Sequence, residues 1–349
     1  MKCRTARKQL SSKRPTVLLL MATVFIGVLG LICSQVWARS KTLALATNAI
    51  QPISASQTLD HRGTWVYAIA VSPDGATLVS GGYDGKLRWW NAQTGTLAHT
   101  VQGHGDAVAS IAISQDGQTL VSGSWDNRIK VWSLETQQLL QTLKQGDDVK
   151  AIALSPDSQF LVSGGTGRRL HIWNLKTGKR IYHVKTDSWI QSVAFGPKEN
   201  KIAFGDDSGR IEVWQLADRH PPIQIWALMG HEDSVRTIRF SPDGRTLATG
   251  SDDRTVKLWN VSQGKLLKAF AGHMDAVRAI TFSPDGKILV SSSHDTTAKL
   301  WSAATGNILG TLPEHRQAIW TVAFSPNGKS IFTGSSDTTI KRWPTRLKN

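Results

Sequence analysis

At 349 residues, 40% hydrophobic and 19% charged, the chain has apolar material for a large core, which excludes the composition of a disordered protein. Its formal charge of +15 looks like a nucleic-acid signal, but residues 1–41 hold eight Lys or Arg and no Asp or Glu, leaving 33 basic against 26 acidic residues, or +7, for the rest. That remainder is spread thinly, with no run of five or six basic residues, so no specific nucleic-acid partner is expected.

From the N-terminus, Lys2, Arg4, Arg7, Lys8, Lys13 and Arg14 precede an apolar run from Val17 to Cys33. The run is longer than a usual signal-peptide core of about 7–15 residues and shorter than the roughly 20 that cross a bilayer comfortably. Two readings stay open: an uncleaved transmembrane anchor, or a signal peptide cut near Val36-Trp37-Ala38. By the positive-inside rule either one keeps the leader in the cytoplasm and sends the remainder across the membrane. The expectation is a single-pass membrane protein folded outside the cytoplasm, or a secreted or periplasmic product after cleavage. The expected organisation is a basic leader at 1–15, a hydrophobic helix acting as anchor or signal at 16–37, a linker at 38–52 and a folded domain at 53–349.

Beyond that point one pattern dominates. Trp90, Trp132, Trp173, Trp214, Trp259, Trp301 and Trp343 recur every 41 to 45 residues. A repeat of this length is one supersecondary unit that cannot bury its own apolar faces, so the units must stack into a single body. Residues 230–270 show the unit: Gly230-His231, an apolar strand to Phe240, the turn Pro242-Asp243-Gly244, a strand to Ser251, Asp253, a strand closing at Trp259, and a last strand to Phe270. Pro-Asp-Gly combines a fixed φ, a side chain that bonds its own backbone, and a residue free to take positive φ, which makes a tight hairpin. Small antiparallel sheets with two faces to cover are best arranged radially, leaving only short protected edges. The fold class expected is all-β: a seven-bladed β-propeller of four-stranded antiparallel sheets, preceded by one N-terminal hydrophobic helix. Gln57-Thr58-Leu59 repeats Gln141-Thr142-Leu143 of a fourth strand, and six residues follow Trp343. The N-terminal strand is therefore expected to close the last blade.

Four residue types keep fixed distances in five repeats: His61, Ser80, Asp84 and Trp90; His104, Ser122, Asp126 and Trp132; His231, Thr249, Asp253 and Trp259; His273, Ser291, Asp295 and Trp301; His315, Thr333, Asp337 and Trp343. By type these could be hydrolase triads. Five copies, each with a partnered indole, are better explained by buried chains in which indole N–H, hydroxyl, imidazole and carboxylate satisfy one another. In repeats three and four, Gln145 and Gly167, then Thr186, Phe204 and Ser208, replace members of the set.

The Gly-His start, the turn Asp and the strand-closing Trp resemble the WD-repeat β-propeller family over about residues 57–343, in a bacterial type with an N-terminal anchor or signal. The Asp after Trp that names the family is absent, since Asn91, Ser133, Asn174, Gln215, Asn260, Ser302 and Pro344 follow the seven tryptophans. The resemblance implies partners docking on the face built by the loops from fourth to first strand and from second to third. Trp65, Tyr67, Tyr83, Trp125, Trp189, Arg236, Arg278, His294 and Trp320 fall there and are the candidate partner-binding residues, with Lys150 adding to a basic border. The cysteines are Cys3 and Cys33, so the repeats lack thiolate ligands, and the histidines show no metal-ligand spacing. No catalytic residue, metal or cofactor is expected. The function expected is a non-catalytic scaffold, monomeric and membrane-tethered or exported, holding a protein or peptide of unknown identity. Ligand, glycan or polyanion binding is the alternative.

Overall fold

A computed structural model describes residues 52–198, 200–217 and 220–345. The leader, the hydrophobic helix and the linker named above lie outside the described residues.

The described residues form 28 strands in seven four-stranded antiparallel sheets. Blade 1 runs Val66–Val71, Thr77–Gly82, Lys86–Asn91 and Leu97–Gln102, and the next five blades repeat this order. Blade 7 is made from two ends of the chain: Ile319–Phe324, Ser330–Ser335 and Thr339–Pro344 are completed by Gln57–Asp60, which pairs antiparallel with Thr339–Arg342. Leu59 packs there with Trp90, Ile340 and Phe332 in one apolar cluster. The seam thus joins blade 7 to blade 1 through burial as well as hydrogen bonds.

The hairpin between first and second strands follows from its sequence. In blade 1 the Ser72 hydroxyl donates to Asp74 (2.5 Å), Asp74 accepts the Ala76 N–H (2.9 Å), and Gly75 takes φ of 73°. Blade 3 places Ser158 at this left-handed position, with φ of 59°, a conformation that suits glycine.

Apolar clusters lie between neighbouring blades. Val79, Leu87 and Trp89 of blade 1, for example, meet Val108, Leu120 and Trp132 of blade 2. Close approach is built in: a Cβ on Gly81 would stand 2.6 Å from Val108 Cγ1, and Gly123 against Val149 repeats the geometry.

Each first strand carries a register shift after its first residue, and the residue skipped is the same in every blade: Tyr67, Ala109, Lys150, Gln191, Arg236, Arg278 and Trp320. A bulge re-aims the extra side chain. All seven line a cavity of about 100 Å³ at one mouth of the central channel.

Candidate functional site

The loops around this mouth are held by the buried chains. In blade 2 the Trp132 indole N–H donates to Ser122 Oγ (2.9 Å), the hydroxyl meets His104 Nε2 (2.7 Å), and His104 Nδ1 meets Asp126 (3.0 Å). The Asp126 carboxylate can only accept, so Nδ1 carries the imidazole proton, and in the neutral ring Nε2 then accepts from the Ser122 hydroxyl. Burial lowers the His104 pKa, against the opposing pull of Asp126. Asp126 also accepts the N–H groups of Gly105 and Arg128 (3.0 and 3.1 Å), tying the loop before the first strand to the turn before the third. Blades 5, 6 and 7 repeat the chain through His231 to Asp253, His273 to Asp295 and His315 to Asp337, at 2.7 to 2.8 Å. Burial works against these three carboxylates, but hydrogen bonds from the histidines and from Thr255, Thr297 and Thr339 outweigh it and hold them well below the usual range.

Blade 1 departs from the expected set. His61 reaches Ser80 (2.9 Å), and Ser80 accepts from Trp90, but His61 Nδ1 faces the Thr64 carbonyl (3.3 Å). Asp84 is taken by Arg88 in a two-pronged pair, at 2.7 and 3.2 Å. Arg88 stands where other blades carry Lys130 or Lys257, and its planar fork matches a carboxylate in a way that an ammonium cannot. In blade 3 Ser163 still accepts the Trp173 indole (2.9 Å), and Gln145 turns to Asp147 (3.0 Å). In blade 4 the Trp214 indole donates to Glu212 (2.9 Å), and Glu212 also pairs with Arg210 (2.6 Å). Ser208 donates to Asp206 (2.7 Å) within its own turn.

Most of the candidate partner-binding residues meet. Tyr67 is the hub, with its ring centroid 4.8 Å from that of Trp320, 5.4 Å from Trp125, 6.1 Å from Tyr83 and 6.2 Å from Trp65. Trp65 and Tyr83 lie 5.5 Å apart and present the open surface of the patch, at 42% and 54% exposure. His294 packs edge-on to Trp320 at 4.9 Å. Burial pushes the Tyr67 phenol up to about 12. Two cations cap the group: Arg278 sits 4.2 Å from the Trp320 ring centroid and Lys150 4.6 Å from that of Trp125. Arg236 is tied to Asp252 (2.5 Å) and lies 3.8 Å from Asp207, while Arg278 reaches Asp252 at 3.4 Å. Trp189 is 43% exposed on blade 4 and shares no ring contact with this group among the described residues. Trp125 Nε1 and His294 Nε2 are buried and have no hydrogen-bond partner among the described residues.

Sequence reasoning missed Arg239. It lines the channel, in register with Ala70, Ala112, Ala153, Ala194, Thr281 and Ala323 of the other blades. The contrast between one arginine and six small residues at one repeat position was the signal available.

Family models match in three stretches: the IFT122 first beta-propeller over residues 65–224, the Echinoderm microtubule-associated protein second beta-propeller over 149–321, and the WD domain, G-beta repeat, over 306–344. Among curated proteins, the ribosome biogenesis protein BOP1 homolog of Culex quinquefasciatus is 46% identical over 48 residues, 14% of this chain and 6% of that protein. Ribosome biogenesis protein bop1-B of Xenopus laevis is 47% identical over 49 residues, 14% of this chain and 7% of that protein. The matched stretch is thus about one blade long and spans a small fraction of these relatives.

These findings correct the expected localisation as a single-pass protein with its propeller outside the cytoplasm. The relatives are named for ribosome biogenesis and come from animals, which also leaves the bacterial type unsupported. No helix among the described residues is long and apolar enough to cross a membrane. The strands among the described residues are four to ten residues long and pair within blades. With seven sheets in a ring and β-propeller models matched in succession from residue 65 to 344, these observations support membership of the WD-repeat β-propeller family.

Proposed function

We propose that the chain is a non-catalytic platform that holds a protein partner on the channel-mouth face of blades 7, 1 and 2. The carrying observation is the contiguous patch of Trp65, Tyr67, Tyr83, Trp125 and Trp320, brought together from three blades, of which 7 and 1 are neighbours only because the ring closes. Interface hot spots favour Trp, Tyr and Arg, and large rings offer contact area at low entropic cost. Trp125 Nε1 within the patch and His294 Nε2 beside Trp320, both without a hydrogen-bond partner among the described residues, add to the reading, since buried polar atoms are ordinarily partnered. The relatives' names suggest an assembly in ribosome biogenesis as the setting, a link that rests on one blade's length of likeness.

Affinity capture with the wild-type chain, with Trp65→Ala plus Tyr83→Ala, and with Lys287→Ala as a distant surface control tests this face. A partner retained by the control and lost by the double variant supports it. Equal recovery by all three would place the partner elsewhere.

A further inference from the structure

The channel mouth gathers four cations and no carboxylate: Lys150, Arg236, Arg239 and Arg278 line the cavity of about 100 Å³ together with Tyr67, Gln191 and Trp320. Two of them are partly neutralised from outside the cavity by Asp252 and Asp207. Lys150 lies on the Trp125 ring, and burial, with Arg236 and Arg278 nearby, lowers its pKa against the pull of Asp148. Arg278 is pushed down to about 10 by burial and by Arg236.

Arg239 is the least compensated. Among the described residues its guanidinium makes one hydrogen bond, from Nη1 to the Ile238 carbonyl (2.9 Å), and no ion pair. Much of its surface faces the channel space, yet protein surrounds it, and burial lowers its pKa with no carboxylate pulling the other way. It is also the charged residue shared by the mouth cavity and the larger cavity of about 540 Å³ toward the opposite end. A guanidinium that faces the channel space without an ion pair is left open to a counter-ion that enters there. Its planar fork is matched by carboxylate and phosphate oxygens, which it can hold two at a time.

We infer that the channel mouth is a binding site for a small oxyanion, a phosphate or a carboxylate, with Arg239 as its principal ligand and Lys150, Arg236 and Arg278 as the surrounding field. The cavity holds several waters' worth of space, enough for such a group. The site does not depend on the partner-docking reading, because a free anion fills it with no protein bound.

The test is thermal denaturation of the full chain titrated with inorganic phosphate and, in a parallel arm, with acetate, each against sodium chloride of matched ionic strength. A ligand bound only by the folded state raises the melting temperature in proportion to its occupancy. The expected result is a saturable rise in at least one arm beyond the chloride control, with apparent affinity at least tenfold weaker in Arg239→Ala and partly restored in Arg239→Lys. The two arms separate a phosphate site from a carboxylate site. Alanine is what five other blades carry at this position, so the variant is expected to fold. A response equal to chloride in both arms, or a saturable response unchanged in Arg239→Ala, overturns the assignment.

Discussion

The guanidinium of Arg278 lies over the ring of Trp320, 4.2 Å from its centroid, while its Nη1 reaches Asp252 at 3.4 Å. One side chain therefore joins the aromatic patch of blade 7 to the acidic turn of blade 5, across the blade between them. Both Arg278 and Trp320 are the extra residues of their bulges, so the contact exists because two neighbouring blades aim equivalent positions at one mouth.

That contact has a measurable strength. A partly desolvated cation over an indole contributes roughly 0.5–2 kcal/mol. A double-mutant cycle of Arg278→Ala and Trp320→Ala, read by urea denaturation, is expected to give a favourable coupling of about 1 kcal/mol. Strict additivity of the two variants would show that the stacking adds nothing to stability.

Closure of the ring makes a second prediction. Removing residues 53–60 takes away the strand paired with Thr339–Arg342 together with buried Leu59. The loss combines a bare sheet edge with a cavity beside Trp90 and Ile340, and a stability decrease of several kcal/mol is expected. Leu59→Ala alone should cost roughly 2–4 kcal/mol. Denaturant midpoints check both values, and an unchanged midpoint for the deletion would mean that the seam is held by other contacts.

The seven blades, the seam and most of the buried chains were legible because they depend on residue type at a fixed period. Tryptophan marks the third strand, Pro-Asp-Gly marks the hairpin, and Gln57-Thr58-Leu59 betrays its outer-strand origin by likeness to Gln141-Thr142-Leu143. The channel mouth was less legible. Alternation along Val66–Val71 does not reveal that Tyr67 is a bulge residue, since a bulge is a choice of register against the partner strand. Nor does a His, Ser, Asp and Trp set reveal which partner wins when an arginine competes, which is why Asp84 goes to Arg88 and not to His61. Trp189 matched the expected positions by spacing, yet the ring carries it away from the other aromatics, at blade 4.

Acid should loosen the structure in two stages. Burial, with Arg88 nearby, lowers His61 to about 4, and burial, with Arg180 nearby, lowers His171 to about 4, against 6.5 for a free imidazole. A histidine depressed in the folded state binds its proton more readily when unfolded, so its stabilisation is complete above about pH 6.5 and drains away as pH falls to about 4. Each such shift corresponds to up to about 3 kcal/mol. Below pH 4 the depressed carboxylates of Asp253, Asp295 and Asp337 add a further loss, because the unfolded chain takes up protons first. Urea midpoints measured from pH 7 to 4 should fall steadily, and NMR should place the His61 titration below pH 5. A flat stability profile over that interval would contradict the buried neutral imidazoles.

The hairpin of blade 3 offers a change in the other direction. Ser158 holds φ of 59° where Gly75, Gly117, Gly244, Gly286 and Gly328 occupy the same turn position in other blades with φ of 67° to 76°. A side chain in the left-handed region costs roughly 1–2 kcal/mol, and glycine avoids that cost at the expense of extra freedom in the unfolded chain. The Ser158 side chain donates no hydrogen bond among the described residues, since the turn is tied by Ser155 to Asp157 at 2.6 Å and by Asp157 to the Gln159 N–H at 3.0 Å. Relief of strain should therefore exceed the entropic loss, and Ser158→Gly is expected to stabilise the protein by about 0.5 kcal/mol, whereas Gly117→Ser should destabilise it by a similar amount. Matched denaturation curves for the two variants decide the sign, and a destabilised Ser158→Gly would show that the unfolded chain's freedom outweighs the strain in this turn.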